Sequence, residues 1–272
     1  MRYQEDELKG LHKIELEILA ETIRICEENK IPYFTVGGTT LGAIRHDGFI
    51  PWDDDIDIGM LRDDYERFIS IAPKQLHKGF SLSHFSTERT SPTYYAKIKK
   101  DGTEFIEKGT QRIKMHHGIF IDVMPYDKIP AREKERKKYR RRVIIWNQLF
   151  IAKTMWISTR IQSKHKPLLN AIRAIMHIFL IFIPKAYLFE KTDKAMRAYN
   201  NDNNTNMISS RALKVFECNI GDIIPPQKHK FESIEVNIPA DADKVLTIQY
   251  GNYMSLPPEG KRYSHAPLRL KY

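Results

Sequence analysis

Leu8, Leu11, Ile18 and Ile25 recur at helical spacing, so the chain should open on an amphipathic helix over residues 5–29. Pro32 then precedes a short apolar run, 33–36, that ends at Gly37-Gly38. That order predicts a strand, a glycine turn and a short helix over 40–45. Residues 47–52 (DGFIPW) carry turn chemistry. Over 53–60 acids alternate with aliphatics, which is the period of a strand, and 63–72 return to helical spacing. Short strands are predicted at 81–85, 94–99 and 103–106. The apolar run 118–124 reads as a buried strand interrupted by one acid, Asp122. From 131 to about 200 the pattern is mainly helical, with a basic run at 132–142, an aromatic segment at 146–156 and an apolar stretch at 171–183. A strand near 234–238, a helix near 242–250 and an irregular end follow.

These elements predict an α+β protein with a mixed-sheet core and a mainly helical insertion. Residues 1–130 and 221–272 would form the core, and 131–220 the insertion. A chain of 272 residues, 42% hydrophobic, can bury such a core. The polar start, MRYQEDELKG, does not resemble a secretory signal. Cys26 and Cys218 make neither a disulfide framework nor a zinc site; they are expected as buried thiols in a reducing cytoplasm. The net charge is +10, and residues 132–142 (REKERKKYRRR) supply a local +6. Such a run fits a solvated helix face, docking on an anionic membrane or nucleic-acid binding. The apolar stretch at 171–183 is broken by Arg173 and His177 and is shorter than the roughly 20 residues a spanning helix needs. It is a core helix or an interfacial one, flanked by Lys164, Lys166 and Lys185.

The chemistry concentrates in GGTTLG (37–42) and PWDDDIDI (51–58). Four carboxylates within five residues repel one another unless a cation sits among them. On a strand, Asp53, Asp55 and Asp57 share one face, while Asp54, Ile56 and Ile58 share the other. The two isoleucines would enter the core. Asp55 and Asp57, about 6–7 Å apart at Cα, would then project together and could share a magnesium ion. Gly37 and Gly38 would let backbone N–H groups approach a phosphate at a helix start. The alternative is a solvated acidic loop.

The segments GGTTLGAIRHDGFIPWDDDIDIGM (37–60), GIFIDVMPYD (118–127) and YGNYMSLPPEGKRYSH (250–265) resemble the LicD family of phosphotransferases, which includes the fukutin-related proteins. The resemblance implies a nucleotidyltransferase-like core. It implies that Asp55, Asp57 and a third acid, Asp122, are catalytic and hold Mg2+, with Mn2+ as a substitute. Asp122 could ligate the metal or take a proton; the alternative is a salt bridge to a buried Arg or Lys. Donor phosphate contacts are expected from Gly37, Gly38, Thr39 and Thr40, and from Arg45, Lys97, Lys99 and His265. His116 and His117 are expected to be structural, and Tyr250, Tyr253, Pro257 and Pro258 to shape the pocket. The implied reaction moves a phosphoalcohol, phosphocholine first, from a CDP-activated donor to a sugar hydroxyl of a lipid-linked glycan precursor such as teichoic acid, releasing CMP. Ribitol phosphate and glycerol phosphate are alternatives, as is nucleotidyl transfer from an NTP; a nucleic-acid-binding module is a remote one. A choline group would call for aromatic faces, and Trp52, Trp146, Trp156, Tyr94, Tyr95 and Tyr126 are the supply, if they are not core. The expected place is the cytoplasm, peripheral at the inner face of a bacterial plasma membrane, with no nucleic-acid partner.

Overall fold

The protein is described from a computed structural model covering residues 3–155, 166–211, 213–262 and 264–272. Trp156 and Lys164 lie outside the described residues. The first helix, α1 (Glu5–Glu28), turns Leu11, Ile18, Leu19 and Ile25 to the interior, where none keeps any exposed surface. Its first turn is acidic, which suits the positive end of a helix. Strand β1 (Phe34–Thr35) leads into α2 (Gly37–His46). The helix thus starts on the glycines themselves, three residues before the expected 40. The acidic segment becomes a paired strand, β2 (Asp57–Leu61), four residues later than its alternation predicts. The reason is local: Asp53 N–H turns back to Ile50 O, and regular pairing with a neighbour starts only at Asp57.

Next come α3 (Arg62–Gln75), β3 (Phe80–Ser83), β4 (Ala96–Lys100), β5 (Glu104–Ile106) and β6 (Phe120–Lys128). Three helices follow, α4 (Glu133–Thr154), α5 (Lys166–Leu180) and α6 (Lys185–Met196). The chain ends with β7 (Met207–Ser210), β8 (Cys218–Asn219), β9 (Gln227–Phe231), β10 (Ile234–Ile238), α7 (Ala242–Tyr250) and β11 (Arg269–Lys271).

The main sheet runs β1-β2-β6-β4-β3 and is mixed, with β2 and β6 parallel and the other pairs antiparallel. Strand β6 is long enough to serve three neighbours. β2 occupies one edge along 122–126. β4 takes residues 120–123 of the other edge, and β7 takes 126–128. β7 and β8 therefore carry part of the stretch expected in the insertion back into the sheet. The faces of β6 divide the interior. Ile121 and Val123 face the cluster built with α1 and α3, whereas Met124 meets the second cluster, with Tyr139, Val143 and Phe150 of α4. Burial on both sides explains why this strand reads as a continuous apolar run.

Candidate active site

The site forms where β1 turns into α2 beside the start of β2. Val36 N–H donates to Asp57 O, and Thr39 N–H to Val36 O, which leaves the Gly37 and Gly38 amides at the helix start. Gly37 has φ +56°, a left-handed conformation that favours glycine. A side chain at Gly38 would collide with the Asp53 carboxylate. The faces of the acidic segment follow its alternation. Asp53, Asp55 and Asp57 line a cleft of about 410 Å3 together with Gly37, Gly38, Arg45, Trp52, Phe216, Tyr250 and His265. Asp54 turns the other way, is buried, and accepts hydrogen bonds from Tyr3 Oη (2.8 Å) and His265 N (3.0 Å), while Ile56 and Ile58 are fully buried.

This clustering is electrostatically costly. Burial, then Asp55 and Asp54, pushes Asp53 up to about 8. Burial, then Asp54 and Asp122, pushes Asp55 up to about 6. Asp57 is raised well above the usual carboxylate range by burial, Asp55 and Asp122. Glu15, reaching in from α1, is fully enclosed and raised by burial and by the charges of this group. The donor set is all hard oxygen. Among the described residues, Asp53, Asp54 and Asp55 each offer an oxygen within 4.8 Å of the others. Asp54 is already held by Tyr3 and His265, so the carboxylates that fit a divalent cation are those of the cleft wall, Asp53, Asp55 and Asp57.

The third expected acid stands beside the pair but not on the cleft wall. Asp122 is the register partner of Asp57 across the parallel ladder, and its charge raises both Asp55 and Asp57. Its Oδ1 lies 2.7 Å from Lys97 Nζ, and Lys97 is its register partner on the β4 side.

The LicD/FKTN/FKRP nucleotidyltransferase domain matches residues 30–165, half of the chain. The chain belongs to the LicD family, and it is a phosphotransferase enzyme. It is 28% identical to the lipopolysaccharide cholinephosphotransferase LicD of Haemophilus influenzae over 92% of both chains. An uncharacterized protein of Rickettsia typhi is 39% identical over 30% of this chain and 26% of its own, and one of Rickettsia prowazekii is 37% identical over 42% and 39%.

In this LicD-family cleft, Arg45 and His265 are wall residues. Arg45 also donates to Tyr253 O (2.7 Å). Thr39 and Thr40, expected on the phosphate, are buried instead. Thr39 Oγ1 accepts the Asp57 N–H (2.8 Å), and the Thr40 and Thr35 hydroxyls pair (2.9 Å), so both tie α2 to the strands. Lys97 serves Asp122. Lys99 shares its strand face but is enclosed, held by Glu88 and His116 O and pushed down to about 8 by burial. Neither lysine lines the cleft. Of the described aromatic candidates, Trp52 alone lines it; Tyr94, Tyr95 and Tyr126 are buried, and Trp146 packs on Tyr187.

Two groups escaped the sequence reading. Asp53 shares the face of Asp55 and Asp57, but its approach to Gly38 exists only in three dimensions and is not carried by the alternation. Arg211, just past β7, gave no signal in the sequence. It is non-glycine at φ +54°, and its guanidinium lies 5.4 Å from the ring of Phe216, a cleft residue, and 5.7 Å from that of Tyr95. Burial opposes its charge, but Tyr95, Asp57 and Asp122 hold it protonated. Half-buried, it acts on Asp57 from the β7 side as Lys97 does from β4.

Proposed function

We propose that this LicD-family enzyme moves a phosphoalcohol, phosphocholine first, from a CDP-activated donor to a sugar hydroxyl of a lipid-linked cell-surface glycan precursor, with CMP as the leaving group. The carrying observation is that Asp53, Asp55 and Asp57 share one cleft with a glycine-opened helix start. The Haemophilus influenzae relative, a lipopolysaccharide cholinephosphotransferase, supports both the alcohol and the class of acceptor.

The Gly37 and Gly38 amides and the start of α2 would receive the donor diphosphate, because a helix N-terminus favours anions. Asp55 and Asp57, with Asp122 released from Lys97 as the third carboxylate, would hold Mg2+ or Mn2+. Such an ion neutralises diphosphate charge and stabilises the leaving phosphate. The acceptor oxygen attacks the phosphorus bearing the alcohol; a new P–O bond forms and the bond to the oxygen of CMP breaks. The hydroxyl proton needs an acceptor outside the Asp55–Asp57 pair, and Asp53 is the wall carboxylate that remains. Arg211, behind Phe216, offsets negative charge as it gathers. Trp52, Tyr250 and Tyr253 bring aromatic rings to the same cleft, which suits a quaternary ammonium. The lipid-linked acceptor places the enzyme at the inner face of a bacterial plasma membrane.

The test is a donor panel of CDP-choline, CDP-ribitol, CDP-glycerol and CTP with magnesium and crude lipid-linked acceptor. CMP released from CDP-choline supports this reading. Release from CDP-ribitol or CDP-glycerol alone changes the alcohol, and pyrophosphate from CTP rejects the reaction. Full turnover in excess EDTA rejects the metal.

A further inference from the structure

Eight of the eighteen large hydrophobic side chains exposed among the described residues lie between 168 and 187. Leu168, Ile172, Ile175, Phe179 and Phe182 follow one another at intervals of four and three, which is one face of a helix. The opposite side of α5 is occupied: Arg173 donates to Gln148 and to Met155 O, His177 meets Ala152 O, and Leu180 is buried. The apolar stripe is therefore the face that α4 leaves uncovered. It ends at a turn where the helical path bends by 112°, and there Phe182 is 88% exposed. Among the described residues no single helix is long and apolar enough to cross a membrane.

Charge decides what covers this face. Residues 136–189 contain twelve lysines and arginines and no Asp or Glu, whereas the chain averages one acid in eight. That stretch carries more positive charge than the whole chain, so the remainder is net −2. Lys137, Lys138, Arg141 and Arg142 are exposed on α4, and Ile144 and Ile145 follow them one turn later. A second copy would bring the same basic arm against itself across a two-fold axis. An anionic lipid surface is complementary to both the apolar stripe and the charge.

We propose that α5 lies in the interfacial plane of an anionic bilayer, with Ile175, Phe179 and Phe182 inserted and the α4 cations over the headgroups. This deepens the membrane part of the function proposed above and rests on it only there, because the surface is separate from the cleft. The Phe179→Ser/Phe182→Ser double variant removes the anchor at two exposed positions, so its melting temperature should equal that of the unaltered chain. The unaltered protein should float with phosphatidylcholine–phosphatidylglycerol vesicles and not with phosphatidylcholine alone, and the double variant should lose about tenfold or more of that partition. Cys26 and Cys218 are buried, so an environment-sensitive dye attached to Phe182→Cys reports one site. Its emission should shift to the blue only with anionic vesicles. Equal flotation of the double variant, or an unshifted dye on vesicles that bind the protein, would overturn the proposal. So would a dimer in the absence of lipid that the double variant dissolves, since the face would then belong to a second copy. CMP release to a water-soluble acceptor should be unchanged in the double variant. Lost flotation with intact turnover is a result about this surface; intact flotation with no turnover on any CDP-alcohol is a result about the reaction.

Discussion

The cleft and the helical arm hide opposite things. The cleft gathers Asp53, Asp55 and Asp57 in partly buried positions where their charges are disfavoured. The arm leaves Ile172, Ile175, Phe179 and Phe182 in water, within a stretch of chain whose Lys and Arg residues have no acid among them. Each arrangement lowers the stability of the isolated chain relative to an ordinary fold. The difference teaches how to read such costs. Crowded carboxylates ask for a small, hard cation, whereas an apolar stripe among lysines and arginines asks for an extended, anionic, greasy surface.

The sharpest way to break this comparison is to neutralise the cleft. Asp55→Asn and Asp57→Asn should each lower CMP release by about a thousandfold or more. Neither should lower the melting temperature, because each removes a charge that its neighbours disfavour. Magnesium should raise the melting temperature of the unaltered chain and not of Asp57→Asn. A variant that unfolds would make these carboxylates structural and erase the contrast.

The joint between the two regions should give the next largest effect. Arg62 of α3 donates to both oxygens of Asp127 on β6 (2.8 and 2.5 Å) and reaches Asp193 on α6 at 3.2 Å. Arg62 and Asp127 are both buried. Arg62→Ala leaves the Asp127 carboxylate without its main cation and should cost about 3–5 kcal/mol in urea unfolding. Arg62→Lys should recover only part, since it cannot bond both oxygens in the same fork.

A smaller effect sharpens the same boundary by pH. His84 is enclosed between Tyr65 of α3 and Phe189 of α6, and burial pushes its pKa down to about 4. Between pH 6.5 and pH 4 the unfolded chain binds this proton and the folded chain does not, so stability falls as the pH drops through that window. The difference is on the order of 3 kcal/mol. Equilibrium unfolding of His84→Phe at pH 7 and pH 4.5 should show a shallower loss than the unaltered chain; equal slopes would remove His84 as the cause.

The glycine and acid wall of the cleft was legible because its parts are local, whereas Phe216, Tyr250 and His265 reach it from far along the chain. Glycines, alternating acids and the two isoleucines lie within residues 37–58, where period-two alternation alone assigns faces. Asp122 was legible as a lone acid in an apolar strand, but its bond to Lys97 depends on strand order, which periodicity does not encode. Thr39 and Thr40 were assigned to phosphate because they follow the glycines; the helix begins earlier than expected, and its first turn points their hydroxyls at the strands. Arg211 was invisible because β7, with the sequence MISS, has no strand-like alternation, and pairing with β6 brings it home only in three dimensions. The apolar face of α5 could be seen as a pattern but not as exposed, since a core helix and an interfacial helix share one periodicity.

Asp57 and Asp122 are rungs of one parallel ladder, contributed by strands far apart in the chain. If the two strands slid past each other by one residue, Val123 would stand where Asp122 stands, and the acid would turn toward the oily side. On the role proposed for Asp122, misaligned molecules would be inert rather than sluggish. In a mixed preparation, specific activity would count the correctly threaded molecules, a measure of assembly that no spectroscopic average of helix and strand content supplies.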